Sequence, residues 1–209
     1  PDEPIPTVPP ETHAPRKRGD TMSAGILLFS GRYRDEPPRE AASNMVAYAT
    51  QAERTGWDAV WTTEHHFNPK LVSSSALATA AFLAGRTERI SIGTAVTVLP
   101  NYHPLMVAEQ ANLINHLSGG RFRLGVARGL PLLDNQVLGN GRAGRPGAFE
   151  ESLRAVVAGL TGEAVEGAGG EFTFPPLAAS PAPEPGGQVP VFVAASSPAT
   201  AAVAARLGL

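Results

Sequence analysis

The sequence predicts an α/β fold of the TIM (β/α)8 barrel type and carries the first five strand-then-helix units of such a barrel. Three observations predict it. From Met22 onward, short runs rich in β-branched and aromatic residues alternate with amphipathic helical runs. Gly, Ser and Pro punctuate the boundaries between runs. The quartet Glu64-His65-His66-Phe67, an acid and two imidazoles followed by an aromatic ring, stands just past the end of an apolar run, where such a barrel presents its chemistry. A closed barrel needs eight units in roughly 250 residues. Five fit between Met22 and Leu209, so residues 22–209 are expected to be one barrel domain truncated at its C-terminus.

Residues 24–30 read as the first strand. Residues 39–54 follow as a helix with Ala41, Met45, Tyr48, Ala49 and Ala52 on one stripe, ended by Gly56. Residues 58–63 are the second strand, and Ser74 or Ser75 can cap a helix reaching about Ala84. Ile, Val and Thr make residues 89–99 a third, longer strand. Pro104 opens a helix with Val107, Ala111, Ile114 and Leu117 on one face, and Ser118-Gly119-Gly120 stops it. Residues 121–127 are the fourth strand. A Gly-rich connection over residues 130–146 leads to a helix marked by Phe149, Leu153, Val156 and Leu160. A small hairpin is expected over residues 163–174, turning at Gly167 to Gly170. Residues 190–195 are the fifth strand and residues 198–207 begin a fifth helix. Such alternation favours parallel pairing with right-handed crossovers.

Bulk properties narrow the function classes. Lys and Arg number 17 against 19 acids and form no stripe, so a nucleic-acid partner lacks its electrostatic basis. Cysteine is absent, which removes disulfides, thiolate metal sites and cysteine nucleophiles together and leans toward a cytoplasmic setting. Residues 1–21 carry six prolines among polar neighbours and read as a disordered leader, with Met22 a plausible start. No run approaches the roughly 18 apolar residues of a membrane span.

Gly139, Gly141 and Gly144 spell G-x-G-x-x-G, but no strand directly precedes them, so a flexible loop is expected rather than a dinucleotide cradle. Glu64, His65, His66 and His103 invite a metal reading. Adjacent histidines on an extended segment point to opposite sides and do not easily meet one ion, so no metal is expected. His116, near a helix end, reads as a surface or capping group. No G-x-S-x-G elbow supports a serine hydrolase.

Several runs together carry a family resemblance. They are Gly56-Trp57-Asp58 through Trp61 to Glu64-His65-His66-Phe67, then Ile92-Gly93-Thr94-Ala95-Val96 with Val98-Leu99-Pro100 and His103-Pro104. Ser118-Gly119-Gly120-Arg121-Phe122-Arg123-Leu124-Gly125-Val126, Arg128-Gly129-Leu130 and Val191-Phe192-Val193-Ala194-Ala195-Ser196-Ser197 follow in the same order. In these runs the sequence resembles the bacterial luciferase-like family of flavin-dependent monooxygenases, and within it the luciferase catalytic subunit most.

The resemblance implies roles for individual positions. His65 matches the catalytic histidine beside the flavin, and an imidazole with an ordinary pKa near 6.5 exchanges protons at neutral pH. Glu64 matches an acid that orders the site. Ala95 and Val96 match a non-proline cis peptide beneath the flavin ring. Arg128 matches the arginine on the flavin phosphate, and Ser197 and Thr200 match donors at the start of the fifth helix, where the dipole favours a phosphate. The departures are Ala127 for a reactive cysteine, Leu130-Pro131 without an aromatic residue, and Ser196 for an acid. They weigh against light emission and long-chain aldehyde specificity.

The implied activity is oxidation of a small organic substrate through a C4a-peroxyflavin, using dioxygen and reduced FMN from a separate NAD(P)H:flavin reductase. The alternatives are an oxidoreductase using the deazaflavin 8-hydroxy-5-deazaflavin, or a non-catalytic flavin-binding partner subunit. The full-length protein is expected to be a homo- or heterodimer. The 209-residue chain alone is expected to be insoluble or molten, inactive, and at best a weak FMN binder, because its open sheet edges and unsealed interior would face water.

Overall fold

A computed structural model of the chain describes residues 23–33, 35–130 and 133–209. The expected leader, Met22 and Pro131 lie outside the described residues. Strands β1 (Gly25–Leu28), β2 (Ala59–Thr62), β3 (Ser91–Thr94), β5 (Phe122–Ala127) and β8 (Val191–Val193) form one parallel sheet, and β4 (Thr97–Val98) pairs with the far end of β5. Helices α1 (Pro38–Arg54), α2 (Ala76–Ala84), α3 (Pro104–Leu117), α5 (Ala148–Thr161) and α6 (Pro198–Arg206) stand between or after the strands. A short helix α4 (Leu133–Val137) follows β5, and an antiparallel hairpin of β6 (Ala164–Ala168) and β7 (Thr173–Ala178) leads toward β8.

Burial follows the two periodicities. Leu28, Val60, Ile92, Phe122, Leu124 and Val126 alternate onto the helix-covered face, where Ala49, Leu77, Leu83, Val107, Ala111, Leu153 and Val156 meet them. The stripes expected on α3 and α5 are buried at Val107, Ala111, Ile114, Phe149, Leu153, Val156 and Leu160. Two expected stripe members, one on α1 and one on α3, are not buried. Tyr48 is 61 % exposed because it stands over a hollow beside β1 and not over the sheet, and Leu117 is 66 % exposed in the last turn of α3. Immediately beyond Leu117 the chain turns away through Gly119 and Gly120, both at positive φ. Ser75 caps α2, accepting from the Ala78 amide at 3.1 Å.

The opposite face is apolar. Trp61 lies across Gly25 and Gly93, where an added Cβ would meet its indole, and its ring meets Phe192 edge-on at 5.6 Å. Leu27, Phe29 and Phe192 remain 53, 56 and 49 % exposed.

The long strand expected over residues 89–99 is broken. Gly93 pairs with Arg123 and Thr97 with Val126, so four steps along one strand oppose three along the other. The extra residue forces a bulge. Thr94 fills the gap: its hydroxyl donates to the Gly125 carbonyl at 2.7 Å and accepts from the Gly125 amide at 3.0 Å. Only glycine suits position 125, because a Cβ there would overlap the Thr94 carbonyl oxygen.

The 130–146 connection is also more ordered than expected. Besides α4 it holds a 3-10 turn (Arg142–Gly144), built around Asn135, which is 1 % exposed. The Asn135 side-chain oxygen accepts from Ala143 at 3.1 Å and its carbonyl from Gly141 at 3.0 Å. Gly139 packs against Asn135 and Gly141 lies at positive φ in this turn, and no strand directly precedes the three glycines. His116 likewise does more than cap. Its ring nitrogens reach Glu184 at 3.1 Å and the Ala182 carbonyl at 2.8 Å, while Asn112 and Asn115 donate to Pro181 and Gly187 carbonyls, so α3 latches the loop before β8. Among the described residues, no helix is long and apolar enough to cross a membrane.

Candidate active site

The site begins where β2 ends. Thr62 and Thr63 turn their hydroxyls to neighbouring carbonyls, so the chain leaves the sheet with its polar groups satisfied. The segment after it returns at once: the His65 amide donates to the Ser73 carbonyl at 2.8 Å, and Ser73 Oγ donates to the Thr63 carbonyl. Phe67, at φ 54°, makes the reversal in the left-handed region. His65 and His66 consequently diverge, as expected for an extended segment. The His65 ring tilts against Phe29, centroids 5.3 Å apart, whereas His66 folds back to Glu64.

Glu64 is sealed. Its side chain has no solvent exposure, and four donors converge on two oxygens. Oε2 accepts from the Tyr102 hydroxyl at 2.7 Å and, at the long distance of 3.5 Å, from the Ala76 amide. Oε1 faces His66 Nε2 at 3.3 Å and the Val98 amide at 3.4 Å. Burial pushes the Glu64 carboxyl above its usual range, while the hydrogen bonds from Tyr102 and His66 pull it back. Burial and the Glu64 charge together push the Tyr102 hydroxyl well up. His65 moves the other way: burial lowers its pKa against the opposing charge of Asp134, which favours the neutral imidazole.

The Ala95–Val96 peptide bond is cis, and the Ala95 amide donates to the Thr62 carbonyl at 2.6 Å. This segment thus lies beside the end of β2, with Glu64 holding Val98 immediately after it.

The second part of the site lies at the ends of β5 and β8. Val126 pairs with Val193 and the Ala194 amide donates to Val126, which sets the two following loops side by side. Arg128 is exposed and makes no hydrogen bond or ion pair with any described residue. Ser197 caps α6: its Oγ accepts from the Thr200 amide at 3.3 Å and lies 3.0 Å from Thr200 Oγ1. A free guanidinium, a hydroxyl pair and a helix N-terminus form a donor set that suits a phosphate dianion.

The structure therefore places Glu64, His65, Ala95, Val96, Arg128, Ser197 and Thr200 at or just past the C-terminal ends of neighbouring strands or at the start of α6, with no direct bond joining Arg128 to Ser197. Sequence reasoning missed Tyr102, Asp134 and Ser73. Tyr102 and Ser73 were discernible as polar groups in strand-end loops. His103, an expected family match, packs its ring on Phe172 and Phe174 of the hairpin instead of on Glu64 or His65. Among the described residues no three His, Asp or Glu side chains gather as a metal set.

Residues 22–209 match the family described as Luciferase-like monooxygenase. The alkanal monooxygenase alpha chain of Photorhabdus luminescens is 33 % identical over 178 residues, covering 83 % of this chain and 49 % of that one. The chain spans about half the length of the curated relatives it matches. The monooxygenase RslO1 from Streptomyces bottropensis superposes with a TM-score of 0.79 at 26 % identity, covering 90 % of this chain and 58 % of that one. The oxygenating constituent of 3,6-diketocamphane monooxygenase from Pseudomonas putida, in complex with FMN, shares the fold, with a TM-score of 0.76 at 20 % identity over 90 % of this chain and 56 % of that one.

Proposed function

Because the chain belongs to the luciferase-like monooxygenase family, we propose that it forms the flavin- and oxygen-handling part of a two-component monooxygenase. In this reading its five parallel strands are the first five units of the (β/α)8 barrel. Reduced FMN comes from a separate NAD(P)H:flavin reductase, and the substrate is a small organic molecule. Bound reduced FMN would supply the electrons that activate dioxygen.

The chain's own residues would do the rest. The Arg128 guanidinium and the Ser197 and Thr200 hydroxyls hold the flavin phosphate. The Ala95–Val96 segment supports the ring, and Leu27, Phe29, Trp61 and Phe192 line an apolar wall that keeps water out. His65, its neutral form favoured by burial, takes up and returns a proton at a ring nitrogen next to that wall. Glu64, fully buried, orders the segments around it and does not reach the ligand itself.

The observation that carries this reading is a part-buried imidazole set against Phe29 at the end of β2 together with, at the end of β5, an exposed guanidinium that bonds no described residue. Anaerobic titration with reduced FMN and, separately, reduced 8-hydroxy-5-deazaflavin, each followed by admission of dioxygen, tests it. For a version of the protein extended to the complete barrel, the expected result is tight binding of FMN and a changed rate of its reoxidation. Exclusive binding of the deazaflavin would replace this reading with hydride transfer, and binding of neither would overturn it.

A further inference from the structure

The Tyr102 hydroxyl serves neither the core nor any ligand the family reading assigns to it. Tyr102 ends the 3-10 turn Leu99–Asn101, and its amide donates to Leu99 at 3.0 Å. Its hydroxyl turns inward to a carboxylate 38 positions away in the chain.

We propose that Tyr102 is a positioning residue of the candidate site: by donating to Glu64 Oε2 at 2.7 Å it fixes the carboxylate whose other oxygen faces the Val98 amide at 3.4 Å, and so holds the segment from Ala95 to Val98 in place. The geometry is that of a clasp. Glu64 touches both ends of the turn, Val98 before it and Tyr102 after it, while the Ala76 amide at the start of α2 and His66 approach from the other side. An ionised carboxylate offers about four acceptor positions, and four donors are present here. Tyr102 supplies the shortest of the four contacts.

The direction of the electrostatics agrees. Burial alone drives Glu64 toward its neutral form, and the Tyr102 bond is the largest of the effects that oppose it, ahead of His66 and the Ala76 amide. Tyr102 and His66 are the titratable groups that act on this carboxyl. A protonated Glu64 keeps one oxygen as donor, so it competes with Tyr102 or His66 and loosens the hold on Val98. Losing the Tyr102 hydroxyl therefore transmits to the ring-side segment through Glu64, with no change in apolar packing.

The inference rests on the family reading only for what the Ala95 to Val98 segment supports, and the test separates the two. Glu64 is titrated by carbon NMR of carboxyl-labelled glutamate in the flavin-free protein, wild type against Tyr102→Phe, and the pH profile of reduced FMN binding is recorded for both. The midpoint of Glu64 is expected to rise by roughly one pH unit, the scale of one lost charge-assisted hydrogen bond. The acid limb of FMN binding should move up by the same amount, and a Glu64→Gln background should erase the difference. A purely packing role for the ring predicts no shift in either curve, and that result overturns the proposal. A shifted carboxyl with no FMN binding in either protein keeps the clasp and refutes the flavin reading. Should Tyr102→Phe fail to fold, replacement of the chain's tyrosines by 3-fluorotyrosine gives a more acidic donor, for which the Glu64 midpoint must fall; an unchanged midpoint there overturns the proposal as well.

Discussion

The two halves of the candidate site are built on opposite principles. At Glu64 four groups from other parts of the chain, on Tyr102, His66, Val98 and Ala76, converge on one buried carboxylate. Around Arg128 almost nothing is claimed; the guanidinium is exposed, and the nearby hydroxyls of Ser197 and Thr200 are satisfied chiefly by each other and by the α6 backbone. The first half is preorganised by protein–protein bonds and exposes only His65 beside an apolar face. The second half leaves its guanidinium uncommitted and ties its two hydroxyls only to each other and to the start of α6. Substitutions in the first should alter chemistry and stability, and substitutions in the second should alter affinity alone.

The largest effect should come from His65. In a version extended to the complete barrel, His65→Ala is expected to lower oxygenation of substrate about 100-fold or more, the scale of a lost general acid/base, while leaving reduced FMN affinity within a few-fold. His66→Ala, which removes one of four contacts to Glu64, should cost much less turnover. Equal losses from both would erase the distinction between the neutral imidazole and the one tied to the carboxylate.

Next is Glu64→Ala. It strands the Tyr102 hydroxyl and the Val98 amide in a buried setting, and leaving such groups unpaired costs about 1–3 kcal/mol each. Denaturant unfolding should report a loss of about 3 kcal/mol, whereas Arg128→Ala should leave stability unchanged within about 0.5 kcal/mol. Comparable losses would mean that the two halves do not differ in how they are held.

Arg128→Ala should instead weaken FMN by roughly tenfold or more and riboflavin hardly at all, since the two ligands differ only in the phosphate and a charge-assisted hydrogen bond contributes about 1.5–3 kcal/mol. Equilibrium binding of both ligands checks it. Similar weakening of both would separate Arg128 from the phosphate.

The smallest effect lies outside the site. The Ala182 carbonyl and Glu184 raise the pKa of His116 above 6.5. A group with a raised folded-state pKa contributes stability that is complete below its unfolded value near 6.5 and fades as pH rises through the folded value. Amide exchange over residues 180–188 should therefore quicken as pH rises above about 6.5, beyond its intrinsic base dependence. His116→Gln should remove that excess.

The sequence and the structure part company for identifiable reasons. The β2 end was legible because a short buried run and its polar terminus meet at Thr63 and Glu64, and the α5 stripe because Phe149, Leu153, Val156 and Leu160 repeat at helical spacing. The break between β3 and β4 was not. Thr94, Val96 and Thr97 have the same β-branched character on both sides of it, and what creates the bulge is the register against β5, a long-range property. Tyr102 escaped notice for a similar reason, its partner being 38 residues away. Helix α4 has five residues and too little periodicity to stand out, so the Asp134 charge near His65 went unseen. Tyr48 was misassigned because its position on α1 fits the stripe while no described element lies above it.

The account's central claim is that these two halves belong to one flavin site, and a crystal structure of the protein with FMN tests that most directly. The account predicts the phosphate within hydrogen-bonding distance of Arg128 and of Ser197 or Thr200, and the isoalloxazine ring against the Ala95–Val96 segment with His65 at its edge. A phosphate bound away from Arg128, or a ring resting elsewhere than on that segment, would contradict it.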